Sequence, residues 1–137
     1  GENFAKKILC LLKNESPLKI INDQIGRPTT TKTLAKAILR IIEKVNKGNK
    51  IQTKLHCCNS GIASWYDIAV EIQNIGLELG TIKKREVIES ISTSDYGISP
   101  KRPLYSVLDL KSTSKSLDFE FIHWKKALCE SFINLNH

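Results

Sequence analysis

Amphipathic segments of helical spacing that alternate with short apolar runs predict an α/β fold in the order α-β-α-β-α-β-β-α. Three observations carry that expectation. Phe4, Ile8, Leu11 and Leu12 recur at the spacing of one helix face, and so do Leu34, Ile38, Ile41, Ile42 and Val45. Between them, Leu18 to Ile21 is an apolar run too short for a helix. That run opens into Asn22-Asp23-Gln24-Ile25-Gly26-Arg27-Pro28-Thr29-Thr30-Thr31. A strand that ends in a turn marked by Gly and Pro, and then starts a helix, sets polar groups at one edge of a fold. Ligands tend to bind there.

The elements follow in order. The first helix begins near Phe4 and ends at Asn14-Glu15-Ser16-Pro17. Leu18 to Ile21 is a strand. In the turn after it, Gly26 permits a backbone angle that other residues resist, while Pro28 fixes its own φ and pushes Arg27 toward an extended shape. The threonines can cap the second helix, which ends in Asn46-Lys47-Gly48-Asn49. Residues 54–58 read as a strand leading into Asn59-Ser60-Gly61. Ser64 and Asp67 form a capping box for a third helix whose apolar face is Trp65, Ile68, Ala69, Ile72, Ile75 and Leu79, with Gly80 as its stop. Residues 87–91 form a strand, followed by the polar loop Ser92-Thr93-Ser94-Asp95-Tyr96-Gly97 and by Pro100-Lys101-Arg102-Pro103. Residues 104–108 are extended. Phe121, Trp124, Leu128, Phe132 and Leu135 mark a last helix.

At 137 residues the chain is about one domain long, and 41% hydrophobic with 26% charged residues fits a globular protein. No apolar run approaches the ~20 residues of a membrane span, and no signal peptide opens the chain. Neither a membrane nor a secretory route is expected. The chain contains no Met and opens with Gly1-Glu2-Asn3-Phe4, so it reads as a piece of a longer protein. The net charge of +7 invites a nucleic-acid reading. Its lysines are scattered, however, and aromatics reach only 7% without interleaving among them, which favours a solvated basic surface over a nucleic-acid partner. Cys10, Cys57, Cys58 and Cys129 form no C-x-x-C pair, and His56, His123 and His137 lie far apart. The second helix begins Lys32-Thr33, with no carboxylate for a hard cation. No metal site and no disulfide framework is expected, and reduced cysteines suit the cytoplasm.

Chemistry-bearing signatures are missing too. The chain has no G-x-G-x-x-G turn, Walker-type loop, G-x-S-x-G elbow or H-E-x-x-H. None of Tyr66, Tyr96 and Tyr105 has a lysine four positions later, as a tyrosine–lysine pair for hydride-transfer chemistry would require. The carboxylates are dispersed. The residues supply no self-contained catalytic constellation, so no catalytic residue is assigned and the chain reads as a binding half.

Taken in order, the motifs point further. Asn3-Phe4 is followed by Asn22 to Thr29, by Leu34-Ala35, by Leu55-His56-Cys57-Cys58-Asn59-Ser60-Gly61 and by Ser64-Trp65-Tyr66-Asp67-Ile68-Ala69. Ile91-Ser92-Thr93-Ser94-Asp95-Tyr96, Lys101-Arg102-Pro103-Leu104-Tyr105-Ser106-Val107-Leu108-Asp109 and His123-Trp124-Lys125-Lys126-Ala127-Leu128 complete the series. It resembles the C-terminal portion of the dTDP-4-dehydrorhamnose reductase family, within the extended short-chain dehydrogenase/reductases. The resemblance implies a parent enzyme that transfers hydride from NADPH or NADH to the 4-keto group of dTDP-4-dehydrorhamnose, giving dTDP-L-rhamnose for cell-surface polysaccharide. It also implies that the Gly-rich turn and the tyrosine–lysine pair lie upstream, in an N-terminal Rossmann half. Residues 1–137 would then be a single sugar-nucleotide-binding domain, inactive alone and binding no nicotinamide cofactor itself.

The same resemblance nominates site residues. Asn3 either caps its helix or sets an amide near the nucleotide-sugar. Gln24, Gly26, Pro28 and Thr29 lie beside the substrate cleft, as a structural turn or in direct contact. Arg102 is set against the diphosphate, where a guanidinium forks onto phosphate oxygens. Trp65 and Trp124 read as packing residues rather than stacking platforms. A non-catalytic binding or regulatory protein on the same fold is the alternative, and a basic nucleic-acid module a more distant one. Residues 54–58, without their usual neighbours, would leave an edge open to pairing with another copy, so a homo-oligomer is a further expectation.

Overall fold

A computed structural model describes residues 3–97 and 102–133. Helix α1 spans Phe4–Lys13, β1 Leu18–Ile21, β2 Ile25–Gly26 and α2 Thr31–Asn46. β3 (Ala63–Ser64), α3 (Trp65–Glu78), β4 (Ile88–Ile91) and α4 (Thr93–Tyr96) follow, then α5 (Lys111–Leu117) and α6 (Trp124–Ile133). The class is α/β, as the periodicity predicts. The element order is instead α-β-β-α-β-α-β-α-α-α.

β1 and β4 pair in parallel from Leu18 opposite Ile88 to Ile21 opposite Ile91. A parallel pair needs a long crossover, which α2 and α3 supply. β2 and β3 pair antiparallel, Ile25 opposite Ser64 and Gly26 opposite Ala63. α3 is the hub, packing against α1, β1, β3, β4 and α6. Its face, Ile68, Ala69, Ile72 and Ile75, meets Ile8 and Leu12 of α1, Leu18 of β1, and Trp124 and Phe132 of α6 in one buried cluster. The helix starts where the capping box puts it, with the Ser64 side chain accepting from Asp67 N–H at 3.0 Å and Asp67 Oδ2 accepting from Ser64 N–H at 2.8 Å.

Three expectations are corrected. Among the described residues, 54–58 join no ladder, and the His56 N–H donates instead to Thr113 Oγ1 at 2.9 Å. Local alternation suits a strand, but a strand also requires a neighbour. The extended segment 104–108 reduces to a bridge between Tyr105 and Ile25. The loop after β4 folds into α4, capped by the Ser92–Asp95 box, and α5 follows unannounced. The apolar face of α2 stays outside the core. Leu34, Ile38, Leu39, Ile42 and Val45 are 38–60% exposed, while the side packed toward α5 carries the small Thr33 and Ala37. Helical spacing identifies an apolar stripe without saying what covers it. Leu135 and 98–101, including Pro100 and Lys101, lie outside the described residues.

Candidate functional site

β2 is flanked on both sides. β3 pairs with one edge, and on the other Ile25 N–H donates to Leu104 O at 2.8 Å while Ser106 N–H donates to Ile25 O at 2.9 Å. The second pairing brings Arg102 and Pro103 to the mouth of a cleft of about 720 Å³. Gly26 sits in this short ladder without a left-handed φ. What favours glycine there is space rather than angle, because a Cβ would lie 3.0 Å from Ser106 Oγ.

All six nominated residues, Asn3, Gln24, Gly26, Pro28, Thr29 and Arg102, line this one cleft. Several already have structural work. Asn3 caps α1, its Oδ1 accepting from Lys6 N–H at 3.0 Å. Thr29 Oγ1 donates to Arg27 O at 3.0 Å and accepts from Asn59 N–H at 3.3 Å. Gln24 is buried, with both ends of its amide engaged. Arg102 is exposed, and among the described residues no carboxylate pairs with it.

Residues not nominated also shape the site. The Arg27 guanidinium clasps two segments, Nε donating to Leu108 O at 2.9 Å and Nη1 to Gly61 O at 3.0 Å. Asn59 is fully buried. Its Oδ1 accepts from Thr30 N–H at 3.0 Å, and its Nδ2 donates to Thr33 Oγ1 at 2.9 Å and to Ile122 O at 3.1 Å. The only sequence signal for either is its place in the stretches 22–31 and 55–61. The aromatic wall is Phe4 and Trp65, ring centroids 4.7 Å apart and tilted by 58°. Trp65 is half-buried, so it packs on the core and faces the cleft at once, and Trp124 is a buried core residue that also reaches the cleft lining.

Lys6, Arg27 and Arg102 line the cleft, and among the described residues no Asp or Glu does. Phe4, Thr31 and Trp65, from the first turns of α1, α2 and α3, line it too, and the N-terminus of α3 is already occupied by the Asp67 carboxylate of its capping box. Asp23 stands behind the wall. Hydrogen bonds from the Thr93 hydroxyl (2.6 Å) and N–H (3.0 Å) hold its carboxyl below the usual carboxylate range. Burial pushes the Cys57 and Cys58 thiols up, which makes them poor nucleophiles. Among the described residues no cluster of His, Cys, Asp or Glu is arranged to hold a metal, and no helix is long and apolar enough to cross a membrane.

Fold and cleft together define a class, an α/β domain with a cationic, aromatic-walled binding cleft. The chain belongs to the RmlD substrate binding domain family, whose model matches residues 1–136. It is 32% identical over 129 residues to a dTDP-4-dehydrorhamnose reductase of Aggregatibacter actinomycetemcomitans, covering 93% of this chain and 44% of that protein. It is 34% identical over 131 residues to the spore coat polysaccharide biosynthesis protein SpsK of Bacillus subtilis, covering 95% and 41%. Among solved structures, a dTDP-4-dehydrorhamnose reductase from Bacillus anthracis in complex with NADP superposes with a TM-score of 0.83 at 25% identity, over 98% of this chain and 44% of that one. The ortholog from Clostridium acetobutylicum gives 0.79 at 33% identity, over 100% and 45%. The chain thus spans less than half the length of these relatives.

Proposed function

We propose that this chain is the sugar-nucleotide-binding domain, residues 1–137, of a cytoplasmic dTDP-4-dehydrorhamnose reductase. In this reading the parent enzyme reduces the 4-keto group of its dTDP-sugar with hydride from NADPH or NADH to give dTDP-L-rhamnose. The observation that carries it is the cleft: three cationic side chains around a space that no carboxylate lines among the described residues, closed on one side by an aromatic pair. A diphosphate suits the first part and a flat base the second. Asn3, Gln24, Gly26, Pro28, Thr29 and Arg102 form the wall, with Arg102 the direct phosphate ligand. The four cysteines, none in a disulfide, suit a reducing compartment.

The residues present do not fit a nicotinamide dinucleotide. The chain has no Gly-rich strand-to-helix turn and no tyrosine–lysine pair. Chemistry therefore falls to a partnering N-terminal Rossmann half, and the chain alone is inactive. One feature supports such a partner, the exposed apolar stripe of α2. Covering a Leu or Ile fully is worth ~1.5–3 kcal/mol, so a stripe of this size is a strong docking face. Without the partner, the same surface favours self-association.

Calorimetric titration of the chain with dTDP tests the reading. Saturable binding that weakens as salt rises is expected, and no binding at millimolar dTDP would refute it.

A further inference from the structure

Gln24 lines the cleft yet is only 6% exposed, and its amide has no free end. Its Nε2 donates to Thr93 Oγ1 at 3.1 Å, and its Oε1 accepts from Trp65 Nε1–H at 3.2 Å. The directions are set by chemistry. An ionised Asp23 can only accept, so the single Thr93 O–H proton goes to Asp23 Oδ1 at 2.6 Å. The Thr93 oxygen must then accept from the Gln24 NH2, which turns the Gln24 carbonyl toward Trp65. An indole N–H can only donate, and it meets that carbonyl. Asp23, Thr93, Gln24 and Trp65 thus form a relay with one consistent hydrogen arrangement. It ends on a ring packed 4.7 Å from Phe4 in the cleft wall.

We propose that Gln24 is a positioning residue: it locks the Trp65 indole in the orientation that, with Phe4, receives the flat heteroaromatic ring of a nucleotide, and does not itself touch the ligand. This rests on the cleft being the nucleotide site. It replaces direct contact by Gln24 with contact through Trp65. Thr93 is not a cleft-lining residue. It reaches a ligand only through the residues it holds, Gln24 and Asp23, and the inorganic diphosphate control separates the two routes.

The test titrates the unaltered chain, Gln24→Leu and Thr93→Val with dTDP and with inorganic diphosphate. Both variants should weaken dTDP about five- to ten-fold, the loss of one neutral hydrogen bond, and leave inorganic diphosphate within about two-fold. In a Trp65→Phe background, Gln24→Leu should cost nothing further. The Trp65 indole N–H resonance, assigned by its absence in Trp65→Phe, should shift in Gln24→Leu while that of Trp124 stays in place. Should Gln24→Leu not fold, Thr93→Val, which leaves every cleft side chain intact, carries the comparison. Unchanged dTDP affinity in the folded variants overturns the positioning role, as does equal weakening of both probes or an undiminished loss in the Trp65→Phe background. An unaltered chain that binds diphosphate but gains nothing from the base overturns it too. One that binds neither probe overturns the nucleotide reading itself, and the positioning role with it.

Discussion

The buried amide of Asn59 and the first turn of α2 are joined at Thr30, whose N–H donates to Asn59 Oδ1 at 3.0 Å. Through that contact, the chain entering α3 holds the helix that forms one wall of the cleft. Asn59→Ala would leave the Thr30 N–H without its partner, while the Thr33 hydroxyl keeps Thr30 Oγ1 and Ile122 O keeps the Ser60 N–H. The expected loss is about 1–3 kcal/mol, the cost of one unsatisfied buried donor and two weakened contacts. Urea denaturation measures it, and a loss below about 1 kcal/mol would contradict the buried network.

Gly61 and Gly48 separate backbone angle from space. Both have positive φ, +80° and +73°, but a Cβ on Gly61 would run into the His123 ring, while one on Gly48 meets nothing within 4 Å. Gly48→Ala should cost the left-handed penalty alone, roughly 1–2 kcal/mol. Gly61→Ala should cost clearly more in the same thermal or urea experiment. Equal losses would mean that the His123 ring moves aside freely.

Asp23 gives a pH signature. Its carboxyl is held below the usual range by Thr93, so the folded state has the lower pKa. The stabilisation is therefore complete above the unfolded value, about 3.9, and is lost as pH falls through the lower folded value. Asp23→Asn should narrow its stability gap from the unaltered chain as pH drops below about 4. Thermal midpoints of the two proteins from pH 7 to pH 2 provide the check, and a gap independent of pH would show that Asp23 is not linked to folding in this way.

The two arginines should behave differently. Arg102 is exposed and has no described carboxylate partner, so Arg102→Ala should weaken dTDP about 10- to 100-fold with the melting temperature unchanged. Arg27 ties Leu108 and Gly61 to the turn, so Arg27→Ala should lower the melting temperature as well. Parallel calorimetry and melting curves separate the roles. Loss of stability in Arg102→Ala would argue that it is structural.

Leu39 and Ile42 lie on the uncovered stripe of α2, 60% and 49% exposed. Leu39→Glu with Ile42→Glu should reduce concentration-dependent association of the chain in sedimentation velocity and leave helix content intact. An unaltered chain that stays monomeric at high concentration would remove the case for α2 as a docking face.

Local chemistry was legible wherever it sufficed. The Ser64–Asp67 box starts α3 at Trp65, and the same Ser-x-x-Asp pattern at Ser92–Asp95 was available for α4. α5 offers no such signal, because Leu110 provides no side-chain cap and only Thr113 and Leu117 are buried. The six nominated wall residues span positions 3 to 102, and their shared cleft depends on β2 pairing with β3 and with 104–106.

Periodicity, caps and ordered motifs are local or linear properties, and from them the α/β class, the bounds of α1, β1 and α2 nearly to the residue, and the family could be read directly. It took the folded chain to establish that, among the described residues, 54–58 joins no ladder, that the stripe of α2 is uncovered and that the Gln24 amide is spent on Thr93 and Trp65. Pairing, burial and hydrogen-bond satisfaction each require a second partner in space, and that partner lies about 40 to 70 residues away in the Gln24 relay.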